Sequence, residues 1–328
     1  MRLLLPATIF AAAALTPTWT QSAGPRLLQT IELPGVEGRM DHLAFDASAQ
    51  RLYVAALGHN TVEVLDVRSG SRARSLAGFR EPQGIAALAD PHVVAVANGE
   101  GKGIQMFDPS DYRIVRSVAL GDDADNVRYD PAAKRLYVGY GTGAIAAIDP
   151  TTGAVVGRAS LAGHPESFQL ERSGPRIFVN VPSAGHIAVV DRTAMKVVAT
   201  WPVTAAGSNY PMALDETNHR LFVGCRRPAR VLVYDTQKGT VLGSTETVGD
   251  TDDLFFDQQQ GRLYVSGGEG FLDVLDARDA AHLTRLTRTA TAPGARTSLF
   301  TPDTGRLYLA VPHRGNQRAE VRVYAMRE

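Results

Sequence analysis

Arg51-Leu52-Tyr53-Val54-Ala55, followed by a turn and then by Val62-Glu63-Val64-Leu65-Asp66, is a pattern that the chain repeats from end to end. The opening pentad returns as Arg135-Leu136-Tyr137-Val138-Gly139, Arg176-Ile177-Phe178-Val179-Asn180 and Arg220-Leu221-Phe222-Val223-Gly224. It returns again as Arg262-Leu263-Tyr264-Val265-Ser266 and Arg306-Leu307-Tyr308-Leu309-Ala310. A degenerate copy, Val93-Val94-Ala95-Val96-Ala97, fills the one gap, so the steps are 42, 42, 41, 44, 42 and 44 residues. Self-similarity at a fixed period of roughly 20–50 residues marks a repeat architecture.

Each repeat reads as four short strands. The first lies just before the pentad, as in Leu43-Ala44-Phe45 or Val127-Arg128-Tyr129, and a turn such as Asp130-Pro131-Ala132-Ala133-Lys134 joins the two. Turns of this length and composition connect hairpins. The third strand ends in Asp66, Asp108, Asp149, Asp191, Asp235 or Asp276. An Asp there is expected to accept hydrogen bonds from the amides of the turn that follows, which is a structural role. The fourth strand alternates apolar and polar residues, as in Lys196-Val197-Val198-Ala199-Thr200, which suits an outer strand with one wet face.

A lone fourth strand, Leu27 to Leu33, opens the chain, and the last repeat, ending at Val321-Arg322-Val323-Tyr324, lacks one. The expected architecture is all-β: a seven-bladed β-propeller of four-stranded antiparallel blades, with the N-terminal strand completing the last blade. A linear solenoid would need polar caps at both ends, and none is written here.

The repeat resembles the bacterial YVTN-type β-propeller repeat, a WD-like arrangement. In that repeat a pentad such as Arg-Leu-Tyr-Val-Ala is followed by Asn and a Val-x-Val-hydrophobic-Asp strand. Arg51 to Asp66, with Asn60, matches best, and the likeness covers residues 27–325. The resemblance implies the fold. Relatives with this repeat include exported proteins, surface-layer proteins and propeller domains of redox enzymes. Several copies carry another residue at the Asn position (Ala144, Arg230, Phe271), so no site residue carries over.

Lys plus Arg (34) equals Asp plus Glu (34) in a chain of 328 residues. Without a basic excess, the electrostatic term that dominates nucleic-acid affinity is missing, and no nucleic-acid partner is expected. The one cysteine, Cys225, excludes an intramolecular disulfide and a Cys-based zinc framework, and it reads as a small strand-end residue. Residues 1–23 have the form of a secretory signal peptide: Arg2, an apolar core from Leu3 to Leu15, then small and polar residues to Ala23. Cleavage is expected within Thr20 to Ala23, leaving residues 24–328 as the propeller with no membrane span. No lipobox Cys follows. The expectation is a monomer in the periplasm, or outside the cell.

The segments entering the first strands set the repeats apart. Counting back from each turn gives one residue per blade at the channel mouth: Asp41, Gln83, Asp125, Glu166, Tyr210, Asp252 and Arg296. The next residues form a second ring: His42, Gly84, Asn126, Ser167, Pro211, Asp253 and Thr297. Loops between second and third strands add Arg226 and others, including Asn60, Asn180, Glu269 and His313, to the same face. The turns of the opposite face read as bland.

Three readings stand side by side. The polar residues could cap loop amides around a water-filled channel. Asp41, Asp125, Glu166 and Asp252, with Asn126, could converge on a hard cation such as Ca²⁺ or on another divalent ion; His42 and His164 would favour a transition metal. Or the acidic funnel could hold a small polar ligand, with Tyr210, Arg226 and Arg296 as contacts. Gly-x-Ser-x-Gly, His-Glu-x-x-His and P-loop motifs are absent, and Gly139-Tyr140-Gly141-Thr142-Gly143 lies between strands and so fails as a dinucleotide loop. The reading is an exported binding protein for a small ligand, metal ion or partner at the acidic funnel. The alternatives are a metal-dependent hydrolase, lactonase-like by analogy with gluconolactonase-type propellers, and a protein–protein scaffold.

Overall fold

The computed structural model describes residues 24–327; the signal peptide expected over residues 1–23 lies outside them. Seven four-stranded antiparallel sheets stand in a ring, a seven-bladed β-propeller. Blade 1 runs from Leu43 to Leu76, blade 2 from Pro82 to Ala119, blade 3 from Ala124 to Ser160 and blade 4 from Phe168 to Pro202. Blade 5 runs from Gly207 to Glu246 and blade 6 from Thr251 to Ala290. Blade 7 takes Ser298 to Ala325 and, as its outer strand, Arg26–Glu32 paired antiparallel with Glu320–Ala325. No helix among the described residues is long and apolar enough to cross a membrane.

The pentad is apolar at successive positions because its strand is buried on both faces. Side chains of a strand alternate between faces. Leu52 and Val54 therefore pack toward blade 7, in a cluster with Tyr308, Ala310 and Val321. Tyr53 and Ala55 pack toward blade 2, in a cluster with Ile85, Val94 and Phe107. All four are fully buried. Equivalent clusters fill the interfaces between the other neighbouring blades. Each blade's apolar surface is thus removed from water only when its neighbours are present, and the ring supplies a neighbour on both sides.

The third-strand aspartates do what their turns require. Oδ1 of Asp149 accepts from the amides of Thr151 and Thr152 at 2.9 and 3.1 Å, and Asp191 and Asp235 repeat the arrangement. The pentad arginine closes the same corner: Arg51 pairs with Asp66, and Arg135 with Asp149 at 3.3 Å. Cys225 is buried in the core between blades 4 and 5, and burial pushes its thiol up to about 12, so it is an inert packing residue.

The inner strands differ in a way that places the mouth residues. In blades 2, 3, 5 and 6 the strand begins early, and its pairing shifts register between Pro82 and Ile85, Ala124 and Val127, Asn209 and Met212, and Thr251 and Asp253. A bulge unpairs a residue and re-aims its side chain. The ring positions Gln83, Asp125, Tyr210 and Asp252 all fall inside these irregularities. Asp41, Glu166 and Arg296 instead lie in the loops before shorter strands.

Candidate functional site at the channel mouth

The ring of mouth residues divides into three groups. In blades 5 to 7, arginines hold the carboxylates. Arg226 donates from Nε to the Thr251 carbonyl at 2.8 Å and from Nη2 to Asp252 Oδ1 at 2.6 Å. Arg296 Nε stands 3.0 Å from the other oxygen of Asp252, and its Nη1 donates to Asp250 at 3.0 Å. The Arg226 guanidinium also lies 3.7 Å from the centre of the Tyr210 ring, a cation–π contact. Burial raises the Asp252 carboxyl, with the two arginines opposing it.

The second group lies deeper. His42 Nδ1 is 3.4 Å from Asp253 Oδ2, and its Nε2 is 3.8 Å from Asp41 Oδ1. Asp253 also accepts from the Ser298 amide at 2.8 Å. Burial works against the imidazolium, but the carboxylates of Asp253 and Asp41 outweigh it and raise His42 to about 10. Burial, reinforced by the charges of Asp125 and Asp252, pushes Asp41 up to about 7 against the pull of His42 and Arg39. Second-ring residues from blades 1 and 6 thus meet across blade 7.

The third group, in blades 3 and 4, has no arginine at ion-pair distance among the described residues; Arg226 acts on Glu166 from further away. One ligand-type atom each from Asp125, His164 and Glu166 can be chosen so that all lie within 4.8 Å of one another. Gly141, in the left-handed region at φ 62°, turns its carbonyl toward His164, whose Nδ1 lies 2.6 Å from that oxygen. Nδ1 therefore carries the proton and donates it, which leaves Nε2 facing Asp125 Oδ2 at 3.6 Å. The Asp125 carboxylate facing it raises His164 to about 9, against the opposing effect of burial. Burial, with the charges of Asp125 and Asp252, raises Glu166 to about 8. Nearby, Asp123 accepts from Gln83 Nε2 at 2.7 Å, and its carboxyl is raised by burial and by Asp125.

The four carboxylates expected to share one cation act on one another electrostatically, but their immediate partners differ. Asp125 and Glu166 come together, with His164 as the third member. Asp252 is held by two arginines, and Asp41 by His42 and Arg39. Asn126 is buried at 2% exposure, and its Oδ1 has no hydrogen-bond partner among the described residues. In the loops between second and third strands, side chains expected near the mouth serve backbone instead: Asn60 Oδ1 accepts from the Glu81 amide at 2.8 Å and Glu269 from the Gly249 amide at 3.0 Å. Asn180 donates to the carbonyls of Tyr210 and Pro211, and His313 pairs with Glu37 at 2.6 Å.

Counting one residue per blade passed over two side chains. His164, outside the ring count but already read as a candidate transition-metal ligand, stands two residues before Glu166 in a Gly-His-Pro-Glu loop beside an acidic ring. Arg128 sits in the inner strand of blade 3, and the signal was a charge in a strand triplet whose counterparts are otherwise uncharged. Its Nη2 donates to Ser167 Oγ at 3.3 Å.

The opposite face holds an open depression of about 1090 Å³ over blades 4 to 7. Several of its charges are already paired. Arg327 holds Asp257 and the Pro302 carbonyl, and Glu216 accepts from the amides of Arg172 and Ser173. The turns there are structural, as expected, although together they form a concavity.

No family model matches the chain, and no curated protein matches it. Among solved structures, a chain of the "Crystal Structure of Mitotic Checkpoint Complex" superposes with TM-score 0.77 at 14% identity, covering 100% of this chain and 99% of that one. A chain of "Kuenenia stuttgartiensis Hydrazine Synthase" superposes with TM-score 0.74 at 16% identity, covering 88% of this chain and 98% of that one. Likeness at such identities is likeness of fold. What this chain is similar to is therefore the β-propeller as an architecture, found in proteins as unlike as a checkpoint assembly and a synthase.

Proposed function

We propose that the chain is an exported, monomeric propeller with YVTN-type repeats that binds a divalent cation at the channel mouth, through Asp125, His164 and Glu166. The observation that carries this reading is the approach of one imidazole and two carboxylates to within 4.8 Å of one another. The carbonyl of Gly141 on Nδ1 supports it, because a ligating imidazole normally donates its other ring N–H to a neighbouring acceptor, which fixes the ring and aims the lone pair. A nitrogen in the set favours manganese, iron or zinc over calcium, which prefers six to eight oxygens. Three protein ligands leave coordination positions for water or a small polar ligand. In the metal-free protein, protons on His164 and Glu166 stand where the cation's charge would be, so loading should release protons.

The test is metal analysis of the purified protein, followed by melting curves with Mn²⁺, Zn²⁺ or Ca²⁺ added to chelator-treated protein. A cation at about 100 times its Kd stabilises by about 2.7 kcal/mol. The expected result is a rise in Tm with Mn²⁺ or Zn²⁺ that exceeds the rise with Ca²⁺. A melting temperature indifferent to all three overturns the reading.

A further inference from the structure

Arg128 has no part in the cation set, yet the charge of Asp125, a member of that set, acts on it. Its Nη1 donates to the Val127 carbonyl at 2.8 Å and its Nη2 to Ser167 Oγ at 3.3 Å. Phe168 covers it at 5.6 Å from the ring centre. A guanidinium offers five N–H donors in a planar fork, so more than half of these have no acceptor among the described residues. Nor does any described carboxylate stand at ion-pair distance from it. Asp253 and Asp125 act on it from further away, and both are engaged elsewhere, Asp253 by His42 and the Ser298 amide and Asp125 by His164. Every other mouth arginine described above is tied to a carboxylate.

Position adds to this. Ser167 follows Glu166 in sequence, and Arg128 follows Asp125 by three residues on one inner strand. The free guanidinium and the cation set therefore belong to the same pair of blades. On that strand, between Asp125 and Arg128, the buried Oδ1 of Asn126 is an acceptor without a donor. Leaving such a group unsatisfied costs about 1–3 kcal/mol. An unpaired guanidinium and an unpaired amide oxygen beside a cation set are complementary to a ligand that carries both negative oxygens and a hydroxyl.

We infer that Arg128 and Ser167 form an oxyanion subsite of the channel mouth, taking a small anion that also bears a hydroxyl: hydrogen phosphate or an α-hydroxycarboxylate. The anion spans the cation and the guanidinium. Planar two-oxygen groups match the arginine fork in bidentate fashion. Its hydroxyl is the donor that Asn126 Oδ1 lacks. The inference rests on the divalent-cation reading for its partner ion, while the guanidinium is there with or without the metal.

Isothermal titration of Mn²⁺-loaded protein with inorganic phosphate, glycolate and acetate tests it. Phosphate and glycolate are the two sources of the same chemistry, and the tighter of them names the source. Acetate, without a hydroxyl, should bind at least ~3-fold more weakly than glycolate. In Arg128→Gln the anion should weaken by ~10-fold or more, while Mn²⁺ affinity stays within ~3-fold of wild type. Loaded wild-type protein that gives no heat with either anion at millimolar concentration overturns the inference and leaves the cation reading standing. So does an Arg128→Gln protein that binds anion as well as wild type. If Mn²⁺ itself does not bind, the cation reading fails, and the metal-free protein decides the subsite: phosphate binding that is lost in Arg128→Gln keeps it, and no binding overturns it. Should Arg128→Gln fail to fold, Arg128→Lys and Ser167→Ala replace it, and unchanged anion affinity in both overturns the inference.

Discussion

Asp252 and Glu166 occupy equivalent ring positions two blades apart, and their surroundings are opposite. Asp252 receives Arg226 on one oxygen and Arg296 on the other, at 2.6 and 3.0 Å. Glu166 has no arginine at ion-pair distance among the described residues, with Arg226 acting only from further away, and it shares its space with Asp125 and an imidazole. The first arrangement is closed: charges are matched one against another, and the guanidiniums are anchored further by the Thr251 carbonyl and the Tyr210 ring. The second is open, because carboxylates crowded in a buried place without a fixed cation must keep protons or acquire a metal. One sequence position thus builds a structural clamp in one half of the mouth and a receptive site in the other.

The comparison can be broken most sharply by removing the open half's ligands. His164→Ala combined with Glu166→Gln should cost over ~1000-fold in Mn²⁺ affinity, about 4 kcal/mol, while Arg226→Ala should leave that affinity within ~3-fold. Equal losses in the two proteins, measured by titration calorimetry, would show the halves to be one unit. Arg226→Ala should instead act on stability. It leaves Asp252 buried with half its compensation, at a cost on the order of 3 kcal/mol, read from denaturant unfolding; a change below a tenth of that would mean the clamp is decorative.

Next in size is a pH effect. A group held above its ordinary value in the fold keeps a proton that the unfolded chain has already released, so stability falls as pH rises between the two values. For Asp41 that window runs from 3.8 to about 7, and for Glu166 from 4.5 to about 8. The stability from His42 and His164 is fully present below 6.5 and is lost as pH rises toward about 10 and about 9. Asp252, which faces this cluster, is raised in the same sense by burial. The metal-free protein should lose on the order of 5 °C in Tm from about pH 5 to about pH 9. Saturating Mn²⁺ should flatten that slope, and calorimetric scans giving a Tm that climbs with pH would contradict the assignment. The smallest effect belongs to Arg39, whose side chain is 55% exposed beside Asp41. Arg39→Ala should change stability by about 0.5 kcal/mol or less, and a larger loss would place Arg39 among the clamping arginines.

Much of this was legible without coordinates. The seven ring positions, the second ring and the turn aspartates follow from counting along a repeat, because each blade makes the same local bonds. His164 and Arg128 were not found that way, since each departs from its repeat rather than conforming to it. Nor could counting show that bulges in blades 2, 3, 5 and 6 carry mouth residues. A bulge is a mismatch between two strands, and it leaves no mark in either alone.

By itself, the sequence determined the architecture: a pentad apolar on both faces, written at a constant period, can hide its side chains only between identical neighbours arranged in a ring. It also picked out one position per repeat as a candidate for the mouth, two of which, Asp125 and Glu166, come together. Only the tertiary structure decided which mouth charges meet. Those pairs form between side chains some twenty-five to forty residues apart or more, as from Arg226 to Asp252 and from Asp125 to His164, and across most of the chain from His42 to Asp253. Their directions depend on local bulges and on a left-handed glycine, and a shift of one or two ångströms decides whether a carboxylate finds an arginine or remains open to an ion.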